Sequence, residues 1–358
     1  MPSKPVKYGI IGFGTIAYER IALEGFACDR TRFAPLDEVQ LVGVCTNRSD
    51  RSALARELGL IWYDSADELL ANPEIDAVYI GTNNRSHVPM ALKALAAGKH
   101  VLSEKPLCPT LEQAQQLEAA LKTTGKSFAV NHMMVYNKFN IKAKQLVADG
   151  ALGVVDDGCF HMEFAYGFTD QEAASWQCSD PGELGGPIGD VGSHCFYMAE
   201  FILGSRIREV AAVYYPKTLP IRCEQGAYVK CRLENGLTCS VKVAFNEPRG
   251  GLGGALSNLG FEVYGSEAVL RSYGSLFQLS GYSDEPVIIR LELDRFTNVE
   301  PICLDDCPTP NIYQEAILRH ARSIVSGRPL DATEAIDNLK ICLAAHDSAR
   351  AGGNWVEV

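Results

Sequence analysis

The stretch that decides the fold is residues 6–17, VKYGIIGFGTIA. Its first six residues form a short apolar run, which predicts a buried β-strand. A G-x-G-x-x-A loop follows, in which Gly12 permits a tight turn, Gly14 lets backbone amides approach a pyrophosphate, and Ala17 allows close helix packing. Because the loop lies between a strand and a helix N-terminus, it predicts a dinucleotide site rather than a plain strand-to-helix turn. The residues assigned to the cofactor here are Gly12, Phe13, Gly14, Thr15 and Ile16.

Strand-like and helix-like segments alternate as far as residue 130. Further strands are predicted at residues 40–45, 77–80, 100–103 and 128–131. Helices are predicted at residues 15–25, 51–58, 65–70 and 86–97, and from Thr110, which forms a capping-box pattern with Gln113. This alternation implies right-handed βαβ units and a doubly wound parallel sheet. Residues 1–130 are therefore predicted to be an α/β Rossmann domain that binds its ligand at the carboxyl ends of the strands.

The end of the second strand is expected to hold the ribose of the cofactor. An acidic residue at this position accepts a hydrogen bond from the 2′-hydroxyl of NAD, but this chain reads Cys45-Thr46-Asn47-Arg48-Ser49. We assign Thr46, Asn47 and Arg48 to the cofactor, with Ser49 and Arg51 as further candidates for a 2′-phosphate. NADP is thus favoured over NAD. The alternative is that Arg48 only stacks on the adenine.

Composition limits the classes of partner. The 358 residues are 47% apolar and carry a net charge of −11, so they form a folded core and are poorly suited to gripping nucleic acid or an anionic membrane. No apolar run approaches about 18 residues, and no signal-peptide pattern precedes the first strand. The 12 cysteines contain no C-x-x-C, so we interpret them as reduced, mostly buried thiols and expect no metal site. A cytoplasmic protein is expected.

Beyond residue 152 the pattern changes to strands, several of them joined by glycine-containing turns. The predicted strands are residues 154–164, 209–215, 228–233, 237–245, 261–264, 269–272 and 287–293. Residues 131–358 are therefore predicted to form a second, α+β domain for substrate binding and oligomerisation. Residues 249–254, RGGLGG, lack the lysine and serine of a phosphate loop and are predicted to be a flexible loop.

Three segments, in this order, carry a family resemblance. They are GTNNRSH at residues 81–87, EKP at 104–106 and GGPIGDVGSH at 185–194. Together they closely resemble the Gfo/Idh/MocA family of NAD(P)-dependent oxidoreductases, and the resemblance extends to a tail segment at residues 313–328. The family implies hydride transfer between nicotinamide and a secondary alcohol or ketone of a sugar, inositol or related polyol. It also implies a large, mostly antiparallel open sheet, whose exposed face commonly forms a homodimer or homotetramer contact.

The resemblance assigns catalysis to Lys105, Asp190 and His194. A helix beginning at Pro187 would place Asp190 and His194 four residues apart on one face, continued by Tyr197. We predict that His194 is the general acid/base, that Lys105 polarises the reacting oxygen and that Asp190 orients the substrate and His194. The alternative is that Asp190 caps a helix and His194 is a hydrogen-bonded core histidine.

Further positions are implied with departures from the family pattern. The resemblance places Thr82, Asn83, Asn84, His87, Glu104 and Lys105 against the cofactor, and Lys105, Met133, Trp176, Asp190 and His194 against the substrate. Asn83 replaces a proline common in the family, and methionines occupy a stretch that often ends in arginine. The histidines at positions 100, 161, 320 and 346 have no metal-like spacing and are interpreted as structural.

Two alternatives share this fold. One is a glycosidase that uses bound NAD for transient oxidation. The other is a regulator that senses NAD(P) without turnover. Such regulators usually lack the lysine and histidine that this chain has at Lys105 and His194, which favours an enzyme.

Overall fold

The computed structural model describes residues 4–246, 257–273, 290–304 and 311–358. The chain forms two compact units. The first is Met1–Met133 with Asn311–Ile336, and the second is Met134–Pro310 with Asp337–Val358. Residues 311–336 thus belong to the first unit, whereas the sequence placed them in the second domain. The functional domain limits at residues 130 and 131 stay a prediction.

Six parallel strands make the sheet of the first unit within the described residues. They are β1 (Val6–Ile11), β2 (Val39–Cys45), β3 (Ile61–Tyr63), β4 (Ala77–Ile80), β5 (His100–Ser103) and β6 (Phe128–Val130). Their order is β3-β2-β1-β4-β5-β6, which confirms the predicted doubly wound sheet and places the reversal of strand order beside β1. Only the short strand β3 escaped prediction.

The register aligns the carboxyl ends of these strands along one edge of the sheet. Ile11 pairs with Cys45 and with Ile80, Ile80 pairs with Ser103, and Ser103 pairs with Val130. The residues that follow each strand therefore share one edge of the sheet. This edge carries the glycine loop, the ends of β2 and β4, the EKP segment and residues 131–133.

Helices connect these strands and continue through the second unit. The first helix, Ala17–Gly25, has π-type hydrogen bonds, and short 3₁₀ turns lie at Ser49–Arg51, Met133–Tyr136 and Pro181–Glu183. The α-helices are α1 (Ser52–Glu57), α2 (Ala66–Ala71), α3 (Asn84–Ala96), α4 (Leu111–Thr124), α5 (Lys138–Ala148), α6 (Asp170–Ala173), α7 (Trp176–Ser179), α8 (Ser193–Leu203), α9 (Ile312–Val325) and α10 (Thr333–Arg350). A π-type segment, Ile188–Gly192, leads directly into α8. The predicted cap of α4 is present, because the Thr110 hydroxyl accepts from the Gln113 amide.

Helix α9 packs on the first helix and explains why its segment belongs to the first unit. The Gln314 side chain donates to the Glu24 carbonyl at 2.9 Å, and Asn311 donates to the Glu24 carboxylate at 3.1 Å. Arg20 pairs with the same carboxylate at 2.6 Å. Burial raises the pKa of Glu24, and Arg20 opposes that rise. Part of the unassigned stretch at residues 20–37 therefore serves this contact.

The second unit is built on a large sheet of nine strands in the described chain. The strands are β7 (Val155–Phe164), β8 (Ile207–Tyr214), β9 (Gly226–Leu233), β10 (Thr238–Ala244), β11 (Ser257–Gly265), β12 (Val269–Tyr273), β13 (Arg290–Asp294), β14 (Val299–Pro301) and β15 (Val356–Glu357). Their order is β14-β13-β12-β11-β7-β10-β9-β8-β15, and only the β7–β10 pair is parallel. The mostly antiparallel open sheet is thus confirmed.

Most of the described cysteines are buried thiols. Cys231 and Cys239 face each other in the β9–β10 register and are fully buried. In the part of the chain that the structure describes, no cluster of metal-ligand side chains occurs, and no helix is long and apolar enough to cross a membrane. Cys307 and the glycine-rich loop at residues 249–254 lie outside the described residues.

Candidate active site

The two glycines of the loop after β1, Gly12 and Gly14, have different roles. Gly12 has φ +91°, and a Cβ there would lie 2.7 Å from backbone atoms of Gly81 and Thr82. Gly12 is therefore required by the fold, since the loop after β1 touches the loop after β4. A Cβ on Gly14 would meet nothing within 4 Å. The protein itself does not need a glycine at Gly14, so the open space above it suits the close approach of a pyrophosphate.

The neighbours of these glycines anchor the loop. Phe13 is fully buried and packs edge-on against Tyr18, with ring centroids 5.7 Å apart, so only its backbone is available to a cofactor. Thr15 is exposed, and Ile16 is 48% exposed, an unusual position for a large apolar side chain. Ala17 is buried, and its Cβ lies 3.2 Å from where a Cβ on Gly81 would stand. The loop fits a dinucleotide, and the predicted small residue at position 17 is needed for packing.

The end of β2 carries two arginines. Arg48 is half-exposed and pairs with Asp50 at 3.0 Å, while its backbone amide donates to the Thr46 hydroxyl at 3.4 Å. The hydrogen bond from Arg48 lowers the pKa of the Asp50 carboxyl. Arg51 is only 17% exposed and donates to the Thr15 hydroxyl at 3.3 Å, and its Nε has no hydrogen-bond partner among the described residues. Arg51 therefore joins the end of β2 to the glycine loop, a position that the sequence noted only as a further candidate.

The first turn of α3, just after the loop that follows β4, holds a buried histidine between two carbonyls. His87 Nδ1 lies 2.9 Å from the Pro106 carbonyl oxygen, and its Nε2 lies 3.2 Å from the Thr82 carbonyl oxygen. His87 is 1% exposed and Asn84 is 2% exposed. His87 thus ties the loop after β4 to the EKP segment. Asn83, exposed just before α3, has φ −74°, a value that proline adopts, so its replacement of the family proline keeps the local backbone.

The EKP segment is held by a partly buried hydrogen-bond network. The Glu104 carboxylate accepts from the Tyr79 hydroxyl, from the Asn131 amide at 2.9 Å and from the Lys105 backbone amide at 3.1 Å. Tyr79 is fully buried, and burial, with the charge of Glu104, raises its pKa. The peptide bond between Lys105 and Pro106 is cis. Lys105 therefore follows a carboxylate that is bonded on both oxygens.

A histidine that the sequence passed over lies beside Lys105. Burial and the positive charge of Lys105 lower the pKa of His132 to about 3, so the ring is neutral at physiological pH. His132 follows β6, as Lys105 follows β5, and these strands are paired neighbours. The sequence does place His132 just after a predicted strand, as it does Lys105. Only the register of β5 and β6 shows that positions 105 and 132 lie at the same level of the sheet edge. Met133, next in the chain, is buried, and its predicted contact with substrate stays a prediction.

In the second unit, Asp190 and His194 lie on one continuous helical segment. The segment starts after Pro187 as predicted, but its first turn is π-type: the Ser193 amide donates to the Ile188 carbonyl, five residues back. The predicted regular i, i+4 face is therefore widened at Asp190, and such turns are frequent at functional sites. His194 is 4% exposed, and its Nδ1 lies 2.8 Å from the Tyr197 hydroxyl. Asp190 is half-buried.

The N-terminus of this segment rests on a glutamate that no motif indicated. Gly186 has φ +90°, and a Cβ there would lie 2.2 Å from the Glu224 carboxylate. Glu224 Oε1 accepts from the Ile188 amide at 3.1 Å. Burial raises the pKa of Glu224 to about 8. The second glycine of the GGP sequence is therefore explained by a carboxylate 38 positions further along the chain.

Three of the four remaining histidines have hydrogen-bond partners, and the fourth, His161, lies 3.5 Å from the Glu163 carboxylate. His320 lies 2.8 Å from the Tyr8 hydroxyl, and His346 lies 2.8 Å from the Tyr214 hydroxyl. His100 accepts from the Ser127 amide at 2.8 Å. Burial lowers the pKa of each of these three imidazoles. Trp176 begins the short helix α7 and is half-buried, and its assignment to substrate stays a prediction.

A Rossmann sheet whose glycine loop leaves open space at Gly14 is the architecture of a dinucleotide-binding protein, and here a large, mostly antiparallel sheet follows it. The family model described as "Oxidoreductase family, NAD-binding Rossmann fold" matches residues 6–132, and the GFO/IDH/MocA C-terminal domain matches residues 140–271. The chain therefore belongs to the Gfo/Idh/MocA family, and the resemblance drawn from its motifs is confirmed.

Relatives of known activity agree with this class. The chain is 27% identical over 283 residues to the 1,5-anhydro-D-fructose reductase of Ensifer adhaerens, covering 78% of each protein. It is 32% identical over 212 residues to the D-glucoside 3-dehydrogenase of Escherichia coli K12, covering 57% of this chain and 56% of that enzyme. The aldose-aldose oxidoreductase of Caulobacter crescentus, solved with glycerol, has the same fold, with a TM-score of 0.81 at 21% identity over 99% of this chain and 100% of that one. The protein is an NAD(P)-binding oxidoreductase.

Proposed function

We propose that this oxidoreductase transfers a hydride between NADP and a CH–OH or carbonyl group of a sugar or related polyol. The observation that supports the proposal most is the position of two features. The open space at Gly14 and the EKP segment with Lys105 both lie at the edge of the parallel sheet where the strands end. A dinucleotide whose pyrophosphate lies at Gly14 extends along that edge. The sugar class rests on the names of the two relatives, a reductase and a dehydrogenase of sugar derivatives.

The bound nicotinamide supplies or accepts the hydride, and the residues of this chain manage the proton. We assign to the Lys105 ammonium the stabilisation of negative charge on the reacting oxygen, which makes a hydroxyl easier to deprotonate. His194 is assigned to proton exchange with that oxygen through Nε2, because Tyr197 engages Nδ1. Asp190, one widened turn before His194, orients the substrate.

Cofactor choice is assigned to the arginines at the end of β2. Guanidinium groups suit a phosphate because they donate two parallel hydrogen bonds. Arg48 pairs with Asp50 at 3.0 Å, whereas Arg51 is partly buried, donates to Thr15 and lies farther from Asp50, at 3.9 Å, so Arg51 supports NADP more strongly. Arg48→Ala and Arg51→Ala should each weaken NADP binding and leave NAD binding nearly unchanged. Arg56→Ala, an exposed arginine in α1, is the matched control. Equal losses for both cofactors would contradict the assignment.

The function itself is tested with a panel of sugars, inositols and keto-sugars, each with NAD and with NADP, by the absorbance of reduced nicotinamide. Turnover with a sugar or polyol, faster with NADP, is the expected result. Clear cofactor binding without turnover on any member would favour a regulator. Cleavage of aryl glycosides with tightly retained cofactor would favour the glycosidase.

The sheet of the second unit is proposed as the contact of a homodimer or homotetramer. Its strands expose aromatic side chains, including Tyr228 at 53% and Tyr264 at 39%, and exposed aromatic surface is typical of interfaces. Light scattering that finds a monomer at working concentration would contradict this. A cytoplasmic location is proposed because Cys231 and Cys239, directly opposed across two strands, are thiols.

A further inference from the structure

Three strand ends of the first unit meet at one carboxylate. We define the Glu104 cluster as Tyr79, Glu104 and Asn131. Tyr79 lies in β4, Glu104 follows β5 and Asn131 follows β6. The backbone continues the sheet here, since the Glu104 amide donates to the Ile80 carbonyl and the Asn131 amide donates to the Ser103 carbonyl, each at 2.8 Å. The cluster therefore lies on rigid backbone rather than in a loose loop.

The Glu104 carboxylate accepts hydrogen bonds on both oxygens from donors of the first unit. Oε1 accepts from the Tyr79 hydroxyl and from the Asn131 amide, and Oε2 accepts from the Lys105 backbone amide. Tyr79 is fully buried and Asn131 is 2% exposed, while Glu104 itself is half-buried. Charge-assisted hydrogen bonds of this kind are about twice as strong as neutral ones. The carboxylate is thus committed to the protein on both oxygens.

Lys105 is fixed on both sides as a result. On its N-terminal side, Glu104 Oε2 holds its backbone amide at 3.1 Å. On its C-terminal side, the Pro106 carbonyl contacts His87 Nδ1 at 2.9 Å. The backbone from which the Lys105 side chain extends is therefore tied to β4, β6 and helix α3. A reacting group displaced by about 1 Å loses about a hundredfold in rate, so this constraint matters for chemistry.

We infer that Glu104 is a positioning residue: its carboxylate, held by Tyr79 and Asn131, fixes the backbone of Lys105 and does not bind the cofactor. The cofactor contact that the family resemblance assigned to Glu104 stays a prediction, and the positioning role is the alternative to it. The inference rests on the proposed catalytic role of Lys105. It predicts that loss of the cluster lowers kcat while the Kd for NADP stays unchanged.

The test is a double-mutant cycle of Glu104→Gln and Lys105→Ala, with kcat, KM and the Kd for NADP measured on each folded variant. Glutamine keeps the shape but turns one acceptor into a donor, so it cannot accept from all three partners. Glu104→Gln alone should lower kcat at least about tenfold and change the Kd less than about twofold. In the Lys105→Ala background it should lower kcat no further, because a residue that acts through Lys105 has nothing left to position.

A matched pair of tyrosines controls for stability. Tyr79→Phe and Tyr8→Phe each remove one buried hydroxyl from neighbouring strands, but Tyr8 contacts His320 instead of Glu104. Tyr79→Phe should lower kcat several-fold and Tyr8→Phe should not, even if both lower the Tm. This pair decides the matter if Glu104→Gln does not fold.

The outcomes separate the inference from the proposed function. A Kd for NADP weakened by Glu104→Gln in both backgrounds, or additive losses of kcat, would overturn the positioning role. Full activity of Lys105→Ala would overturn the proposed catalytic role instead. Equal kcat values for the two tyrosine variants would also count against the cluster.

Discussion

The two glycines of the loop after β1 should respond oppositely to the same substitution. Gly12→Ala places a Cβ 2.7 Å from backbone atoms of Gly81 and Thr82, at φ +91°. A left-handed backbone costs an ordinary residue about 1–3 kcal/mol, and overpacking against backbone costs about 1–3 kcal/mol more. We expect the free energy of unfolding to fall by about 2–6 kcal/mol. The substitution should also displace the loop after β4, and this displacement should weaken cofactor binding.

Gly14→Ala meets no protein atom within 4 Å, and Gly14 does not lie in the left-handed region. An alanine that fits the native backbone stabilises a protein by about 0.4–1 kcal/mol, since it restricts the unfolded chain. The apo protein should therefore be as stable as the wild type, or slightly more stable. A methyl group in the space assigned to the pyrophosphate should raise the Kd for NADP at least about tenfold, which is about 1.4 kcal/mol.

The assay is urea unfolding of each apo variant, followed by a calorimetric titration with NADP. For Gly14→Ala we expect an unchanged free energy of unfolding and a weaker affinity for NADP. For Gly12→Ala we expect both the stability and the NADP affinity to fall. Wild-type affinity in Gly14→Ala would refute the placement of the pyrophosphate. Wild-type stability in Gly12→Ala would refute the contact between the two loops.

Other substitutions test the second unit. Gly186→Ala places a Cβ 2.2 Å from the Glu224 carboxylate at φ +90°, so the Tm should fall. The kcat should also fall, because Asp190 and His194 lie on the adjoining helical segment. A wild-type Tm and kcat would contradict this prediction. Glu224, with a pKa of about 8 against an ordinary 4.5, keeps its proton in the folded state while the unfolded chain releases it. Stability should therefore fall as the pH rises from 4.5 to 8. Glu224→Gln should flatten that part of the stability curve measured by urea unfolding, and an unchanged slope would show that another group is responsible. Tyr197→Phe should shift the pH profile of kcat by removing the partner of His194 Nδ1, and an identical profile would contradict the proposed protonation site.

The features that could be predicted from the sequence are those that depend on neighbouring residues or on a periodic pattern of apolar residues. The glycine loop, the strand ends and the cap at Thr110 follow from adjacent residues, and the structure has them at or near the predicted positions. The alternating pattern also predicted the parallel sheet, because short connections leave few topologies open. These features depend on backbone preferences that a short window contains.

Contacts between distant positions could not be predicted in the same way. Glu224 against Gly186 and Tyr79 against Glu104 depend on register and side-chain direction, which only the folded chain defines. The π-type turn at Ile188–Gly192 also escaped, since its extra residue per turn has no sequence signature in an apolar helix. That residues 311–336 join the first compact unit was also not predictable, because α9 packs on the first helix through Asn311 and Gln314.

The central claim, that Lys105 serves hydride transfer on a sugar bound beside NADP, is tested most directly by one comparison. Wild type and Lys105→Ala are assayed for reduced nicotinamide with the best sugar or polyol of the panel, and NADP affinity is measured on the same samples. We expect turnover in the wild type, a kcat lowered at least about a hundredfold but still measurable in Lys105→Ala, and Kd values that agree within about twofold. Equal turnover in the two proteins would contradict it.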